Sequence, residues 1–168
     1  MKQRQALYFA LRFFGFYILL YGLYYLLINC IKPFEPALLE TLAISVKGLL
    51  SLFGETKISY TNGIPSLFFE NYPVAQLIPA CNGHRVYILF ISFLSAFFFP
   101  PRLKHLYFIV LGCLALYLGN IIRIASLSLL YYYQPTCFDF VHTYLFQTFF
   151  YLMVFGLWML ALKKLPAK

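Results

Sequence analysis

The sequence predicts an all-α polytopic membrane protein, with about four transmembrane helices, one amphipathic interfacial helix and a small extracytoplasmic β-hairpin. Three observations lead there. Hydrophobic residues make up 62% of the chain and charged residues only 11%, where a soluble domain carries about 25% charged residues. The apolar residues fall in runs comparable to the ~20 residues that cross a bilayer as a helix. The basic residues sit at the ends of those runs and form no patch. The net charge of +8 is therefore explained by positive-inside placement and does not suggest a nucleic-acid partner. For 168 residues, one integral membrane domain over 1–168 is the expected count.

The first span is expected at about 7–31, preceded by Lys2 and Arg4. A basic start followed by an apolar run resembles a secretory signal. Here the run continues to Ile31 and no Ala-x-Ala site follows, so it reads as an uncleaved membrane helix. Arg12 lies in its first turns and can snorkel to the inner surface. Pro33 and Pro36 end it.

The segment 32–81 is expected outside the bilayer. Within Ala37–Phe53, Leu38, Leu39, Leu42, Val46, Leu49, Leu50 and Phe53 fall on one helical face, with Glu40, Thr41, Lys47 and Ser51 opposite. That pattern belongs to a helix on the membrane surface or against the bundle. A spanning course for 37–53 is the alternative, and it would reverse one end of the chain. Lys57–Tyr60 then runs into Asn62-Gly63, the strongest two-residue hairpin signal, with Leu67–Phe69 as the return strand. Pro65, close to the turn, works against the pairing.

The second span is expected at about 82–99, stopped by Pro100-Pro101. A short basic loop with Arg102, Lys104 and His105 follows. The third span, about 106–132, is interrupted by Asn120 and Arg123. The loop Tyr133–Val141 holds Pro135, Cys137 and Asp139 and no basic residue. His142 opens the fourth span, about 142–162, and Lys163, Lys164 and Lys168 follow it. Four spans with both termini in the cytoplasm put every short basic loop inside and the Asp139 loop outside.

Three polar residues then share a depth. Cys81 enters the second span from outside and His142 the fourth. Arg123 is about 18 residues into the third, which starts inside, or about 27 Å across a ~30 Å core. At a helix N-terminus, exposed N–H groups and the dipole favour a thiolate on Cys81. A thiolate, an imidazole and a guanidinium suit acyl transfer. Cys81 would attack a carbonyl, His142 would move the proton, and Arg123 would stabilise the oxyanion.

Each residue also has a simpler reading. Cys81 is an inert buried thiol, His142 an interfacial residue at a helix end, and Arg123 the partner of Asp139 or a snorkelling charge. His84 and Arg85 are rivals for the same roles, and His105 is discounted as cytoplasmic. The four cysteines (Cys30, Cys81, Cys113, Cys137) form no Cys-x-x-Cys pair, so neither a thioredoxin-type motif nor a zinc site is indicated. No metal or cofactor is expected.

The residues also carry a resemblance. Pro79-Ala80-Cys81-Asn82-Gly83 resembles the Ala-Cys-Ser-Gly block of the exosortase/archaeosortase family. Asn120-Ile121-Ile122-Arg123 resembles its Asn-x-x-Arg block, and His142 stands where the third motif places a histidine. The similarity runs from about Lys57 to Leu162, and the length resembles the short Bacteroidetes-type exosortases. Asn82 departs from the usual serine. The resemblance implies a cysteine transpeptidase or protease in the cytoplasmic (inner) membrane, with its active site facing the exterior. Its substrates would be membrane-anchored proteins with a C-terminal sorting signal: a short motif, a hydrophobic helix and a basic tail. Cys81, Arg123 and His142 would be the catalytic residues. Asn82, Gly83, His84, Arg85 and Asn120 would be supporting residues.

Two other classes compete. A non-catalytic membrane scaffold or assembly subunit would tolerate loss of Cys81. A quinone-linked thiol oxidase would use the outward Cys30, Cys81 and Cys137, but it lacks its Cys-x-x-Cys and gives Arg123 no task.

Overall fold

A computed structural model describes residues 2–31, 34–100 and 102–165. The expected helix stop at Pro33, the second proline of Pro100-Pro101, Lys32 and the terminal Lys168 lie outside the described residues. Helix α1 is Lys2–Cys30 and α2 is Phe34–Leu50. Strands β1 (Thr56–Thr61), β2 (Ile64–Phe69) and β3 (Tyr72–Gln76) follow. Then come a 3₁₀ turn at Pro79–Asn82, α3 (His84–Phe97) and α4 (Leu103–Tyr133). The chain closes with a 3₁₀ turn at Pro135–Cys137, a single turn α5 (Phe138–Phe140), a π-helical turn at Val141–Leu145 and α6 (Phe146–Lys164).

Three helical stretches are long and apolar enough to cross a membrane: Arg4–Cys30, Leu103–Tyr133 and Pro135–Lys164. The second expected span is shorter than foreseen. Of 82–99, only the 14 residues His84–Phe97 form α-helix, about 21 Å against a ~30 Å core. The cause is local. Gly83 caps the 3₁₀ turn in the left-handed conformation at φ 71°, so the α-helix cannot begin before His84. The loop expected at Tyr133–Val141 is instead largely helical.

The chain divides into two compact units. One comprises Met1–Cys30, His84–Leu116 and Leu152–Lys168. Its core gathers Phe90, Leu94, Phe98, Leu116, Val154 and Ala161. Phe9 of α1 meets Phe93 of α3 edge to face at 5.6 Å, and Trp158 stacks on Phe93 at 4.1 Å. The Phe90 ring lies directly against Gly112, where a Cβ would run into its edge. On α1, Leu7, Leu11, Ile18 and Leu19 are exposed, as side chains that face lipid must be in a protein taken out of its bilayer.

His105 corrects an expectation. It lies in the first turn of α4 rather than in a loop, and it is buried. Its Nδ1 accepts the Arg102 backbone N–H at 3.0 Å, and its ring stacks on Phe98 at 4.5 Å. The side chain satisfies a backbone donor at the start of the helix.

The other unit comprises Ile31–Gly83 and Tyr117–Tyr151. The hairpin forms at Asn62-Gly63, both at positive φ (53° and 77°), as a type I′ turn requires. Pro65 is accommodated inside β2, opposite Tyr60. A third strand, absent from the expectation, pairs antiparallel with β2 to give the order β1-β2-β3. The protein is therefore mostly helical with a small sheet, and not all-α.

Helix α2 buries Leu39, Leu42, Ala43, Val46 and Leu50. They pack with Leu67, Phe69, Val74 and Leu77 of the sheet segment and with Ile121, Ile124 and Ala125 of α4. Glu40, Thr41 and Lys47 are exposed, as the periodicity demands. The apolar face is thus covered by protein, as in the second of the two expected placements, a helix packed against the rest of the protein. Leu38 and Phe53, expected on the buried face, are exposed. Tyr60 of β1 donates its hydroxyl to Glu40 at 3.1 Å and ties the sheet edge to α2.

Candidate functional site

The site is built on the second unit, from the turn after β3 and the second half of α4. Ile78 is extended (φ −84°, ψ 164°), and Pro79 at the first position of the 3₁₀ turn fixes its entry. The Cys81 N–H donates to the Ile78 carbonyl at 2.8 Å. Cys81 is half-buried and packs on the core shared by α2, the sheet and α4.

Its chemistry differs from the expectation. Burial pushes the Cys81 thiol up, while the Ile78 backbone and the Arg123 charge pull it down without prevailing. The thiol stands three residues ahead of α3, in a separate turn. The expected help from a helix N-terminus is not the deciding influence, and desolvation of the charged form outweighs the nearby cation.

Helix α4 supplies two residues one turn apart. Asn120 is 1% exposed. Its Nδ2 donates to the Cys81 carbonyl at 2.7 Å, and its buried Oδ1 has no partner among the described residues. Three residues on, the half-buried Arg123 sits over the Phe150 ring at 5.6 Å. Its Nε is buried without a hydrogen-bond partner among the described residues. Among those residues Arg123 forms no ion pair, so the expected simple pairing with Asp139 is not made. Asp139 is exposed. Counted from the observed start of α4 at Leu103, Arg123 is about 30 Å along the axis, close to one hydrocarbon thickness.

His142 belongs to the same unit but stands apart chemically. It is exposed within the π turn Val141–Leu145. Its ring stacks on Phe138 at 5.4 Å, nearly parallel at 9°. Among the described residues it forms no hydrogen bond with Cys81 or Arg123. Of the three expected catalytic residues, Cys81 lies within the field of the Arg123 charge, and His142 makes no hydrogen bond with either among the described residues.

The supporting residues separate by role. Asn82 ends the 3₁₀ turn and is half-buried, and Gly83 provides the left-handed residue that closes it. His84 opens α3 in the other unit, where it stacks on Tyr24 at 4.4 Å. Arg85 is exposed on the same helix. Cys30, Cys113 and Cys137 are free, like Cys81. Phe138 and Phe150, the platforms under His142 and Arg123, were not foreseen. Phe138 had a signal in its spacing, four residues before His142. Phe150 had none.

Burial favours the neutral form of the half-buried thiol, and the nearby guanidinium, with no ion pair among the described residues, keeps donors for an incoming oxygen. A family model described as transmembrane exosortase matches residues 4–162. No curated protein and no solved structure matches the chain. The match covers nearly the whole chain, including the Cys81 turn, the Asn120–Arg123 turn of α4 and His142, and the chain belongs to the transmembrane exosortase family.

Proposed function

We propose that the protein is a membrane-embedded cysteine transpeptidase or peptidase that processes proteins bearing a C-terminal sorting signal. The observation that carries this reading is the coupling of Cys81 to α4. Asn120 holds its carbonyl, and the unneutralised Arg123 acts on its thiol. Cys81 Sγ attacks the scissile carbonyl, and Arg123 stabilises the oxyanion of the tetrahedral intermediate. Collapse forms an S–C(=O) thioester and breaks the C–N bond. The thiol proton passes through His142 to the leaving amine, so atoms and charge balance. Water or an acceptor amine then attacks the thioester and restores the thiol.

Because burial keeps the resting thiol protonated, a base has to act at the moment of attack. His142 suits that task, since its ring is exposed and held only by stacking on Phe138. Catalytic contacts often tighten only when substrate is bound. The charges on the short loops support an active site on the outer face of the inner membrane, with four spans and both termini in the cytoplasm. The second span in that scheme is the shorter α3.

The test is processing of a co-expressed substrate carrying a motif, an apolar helix and a basic tail, read as the ratio of precursor to product. Cys81→Ala abolishes processing with the protein still inserted, while Cys30→Ala and Cys137→Ala leave it intact. Full processing by Cys81→Ala would overturn the proposal in favour of a scaffold. Equal damage from Cys30→Ala or Cys137→Ala would favour a thiol oxidase.

A further inference from the structure

We infer that Asn120 is a positioning residue that registers the Cys81 turn against α4, so that the Cys81 thiol and the Arg123 guanidinium face each other. The inference deepens the proposed function, and its test needs no substrate.

Asn120 is among the most deeply buried polar side chains of the molecule, at 1% exposure. A buried amide is stable when its donors and acceptor are all met. Here one donor reaches the Cys81 carbonyl at 2.7 Å and the acceptor Oδ1 has no partner among the described residues. A leucine of similar size would remove that orphan but leave the Cys81 carbonyl unpaired in its place. The two deficits offset each other, so stability alone does not single out an amide at this position.

The geometry gives one. The Cys81 backbone is tied on both sides, its N–H to Ile78 and its carbonyl to Asn120. The first tie is internal to the turn and only shapes it. The second joins residues 39 apart in sequence and sets where the turn sits on α4. Three residues along a helix is close to one full turn, so Asn120 and Arg123 project from neighbouring places on one face. The residue that grips the cysteine backbone thus stands beside the residue whose charge acts on its thiol.

No other hydrogen bond among the described residues links the turn Pro79–Asn82 to α4, apart from any that Asn82 makes. The neighbouring contacts with Ile121, Ile124 and Ala125 are apolar and non-directional. They hold the turn near α4 without fixing its register. Among the described residues, Arg123 is the charged side chain whose field acts on the Cys81 thiol. The consequence of losing Asn120 is specific: Cys81 stays in place but no longer feels Arg123 fully.

The experiment is the pH dependence of Cys81 alkylation by iodoacetamide, followed by mass spectrometry. It uses the full chain in detergent, with Cys30, Cys113 and Cys137 changed to serine. Four forms are compared: the parent, Asn120→Leu, Arg123→Gln and the double variant. Arg123→Gln is expected to move the midpoint up, with less thiolate at fixed pH than in the parent. Asn120→Leu is expected to give a similar shift, and the double variant no more than either alone.

A merely structural role would lower the yield of folded protein and leave the midpoint in place. An unmoved midpoint in folded Asn120→Leu would overturn the inference. So would an unmoved midpoint in Arg123→Gln, or fully additive shifts in the double variant. None of these results depends on whether Cys81 forms a thioester, which the processing assay decides separately.

Discussion

Replacing Arg123 by methionine should make the protein inactive without making it less stable. The magnitude follows from the side chain's surroundings. Its Nε is buried without a partner among the described residues, a deficit that costs about 1–3 kcal/mol. No carboxylate neutralises it among those residues. The compensation is the Phe150 ring at 5.6 Å, a contact worth about 0.5–2 kcal/mol. Methionine fills a similar length, removes the orphan donor and keeps a favourable contact of its own with the ring. The balance is neutral to about 2 kcal/mol in favour of Arg123→Met. For a domain of this size that is an unchanged melting temperature or a rise of up to about 4–8 °C. Processing should fall by about 10²–10³-fold, the usual effect of removing one oxyanion donor. Arg123→Lys should lose most of the activity too, because a point charge does not replace the planar fork. Intrinsic fluorescence during thermal unfolding in detergent gives the stability, and the precursor-to-product ratio gives the activity. A melting temperature lowered by several degrees in Arg123→Met would show that the guanidinium serves the fold, and the functional reasoning would fail.

Three further outcomes can be checked. Burial raises the Cys81 thiol, so its alkylation rate should still be climbing above the ~8.5 of a free cysteine, and a plateau reached by pH 8 would contradict the burial argument. Gly112→Ala should destabilise the first unit by about 1–3 kcal/mol, because the new methyl meets the buried Phe90 ring; in a double-mutant cycle Phe90→Leu should recover part of the loss, and simple additivity would refute the clash. Single cysteines at Lys104 and Gln134, both exposed positions, should react differently with an impermeant maleimide on intact cells, position 134 labelling and position 104 not; the reverse would invert the proposed topology.

What the sequence made legible was what short-range chemistry decides. Asn62-Gly63 announced the β1–β2 turn, since few residue pairs accept two positive φ values in a row. The second turn, at Glu70-Asn71, has the same backbone habit at φ 50° and 64°. Glutamate carries no such signal and Pro73 argues against a strand, so β3 went unseen. The heptad-like spacing of α2 gave its buried face, but a face does not say what covers it. His105 looked like loop because basic residues surround it. Its capping of Arg102 depends on how the chain turns before α4. Asn120, Arg123 and Cys81 were each conspicuous as polar residues near or within apolar runs. The bond from Asn120 to the Cys81 carbonyl, and the net rise of the thiol, depend on tertiary burial that no local pattern reports. His142 shows the converse: its place in the motif order was plain, while its π turn and its distance from hydrogen bonding with the thiol were not.

The length of α4 makes lipid a variable of the chemistry. Its 31 residues span about 46 Å, well beyond a ~30 Å hydrocarbon layer, and the excess must be absorbed by tilt or by projection into the headgroups. In the proposed topology Arg123 and Asn120 would lie where such a helix leaves the acyl region. A thicker bilayer would then draw that turn, and the cysteine tied to it, toward hydrocarbon. A thinner one would lift both into hydrated headgroups. Acyl-chain length would then adjust the dielectric around Cys81 and Arg123 as a mutation would, and the proposed activity would vary with the membrane that holds the chain.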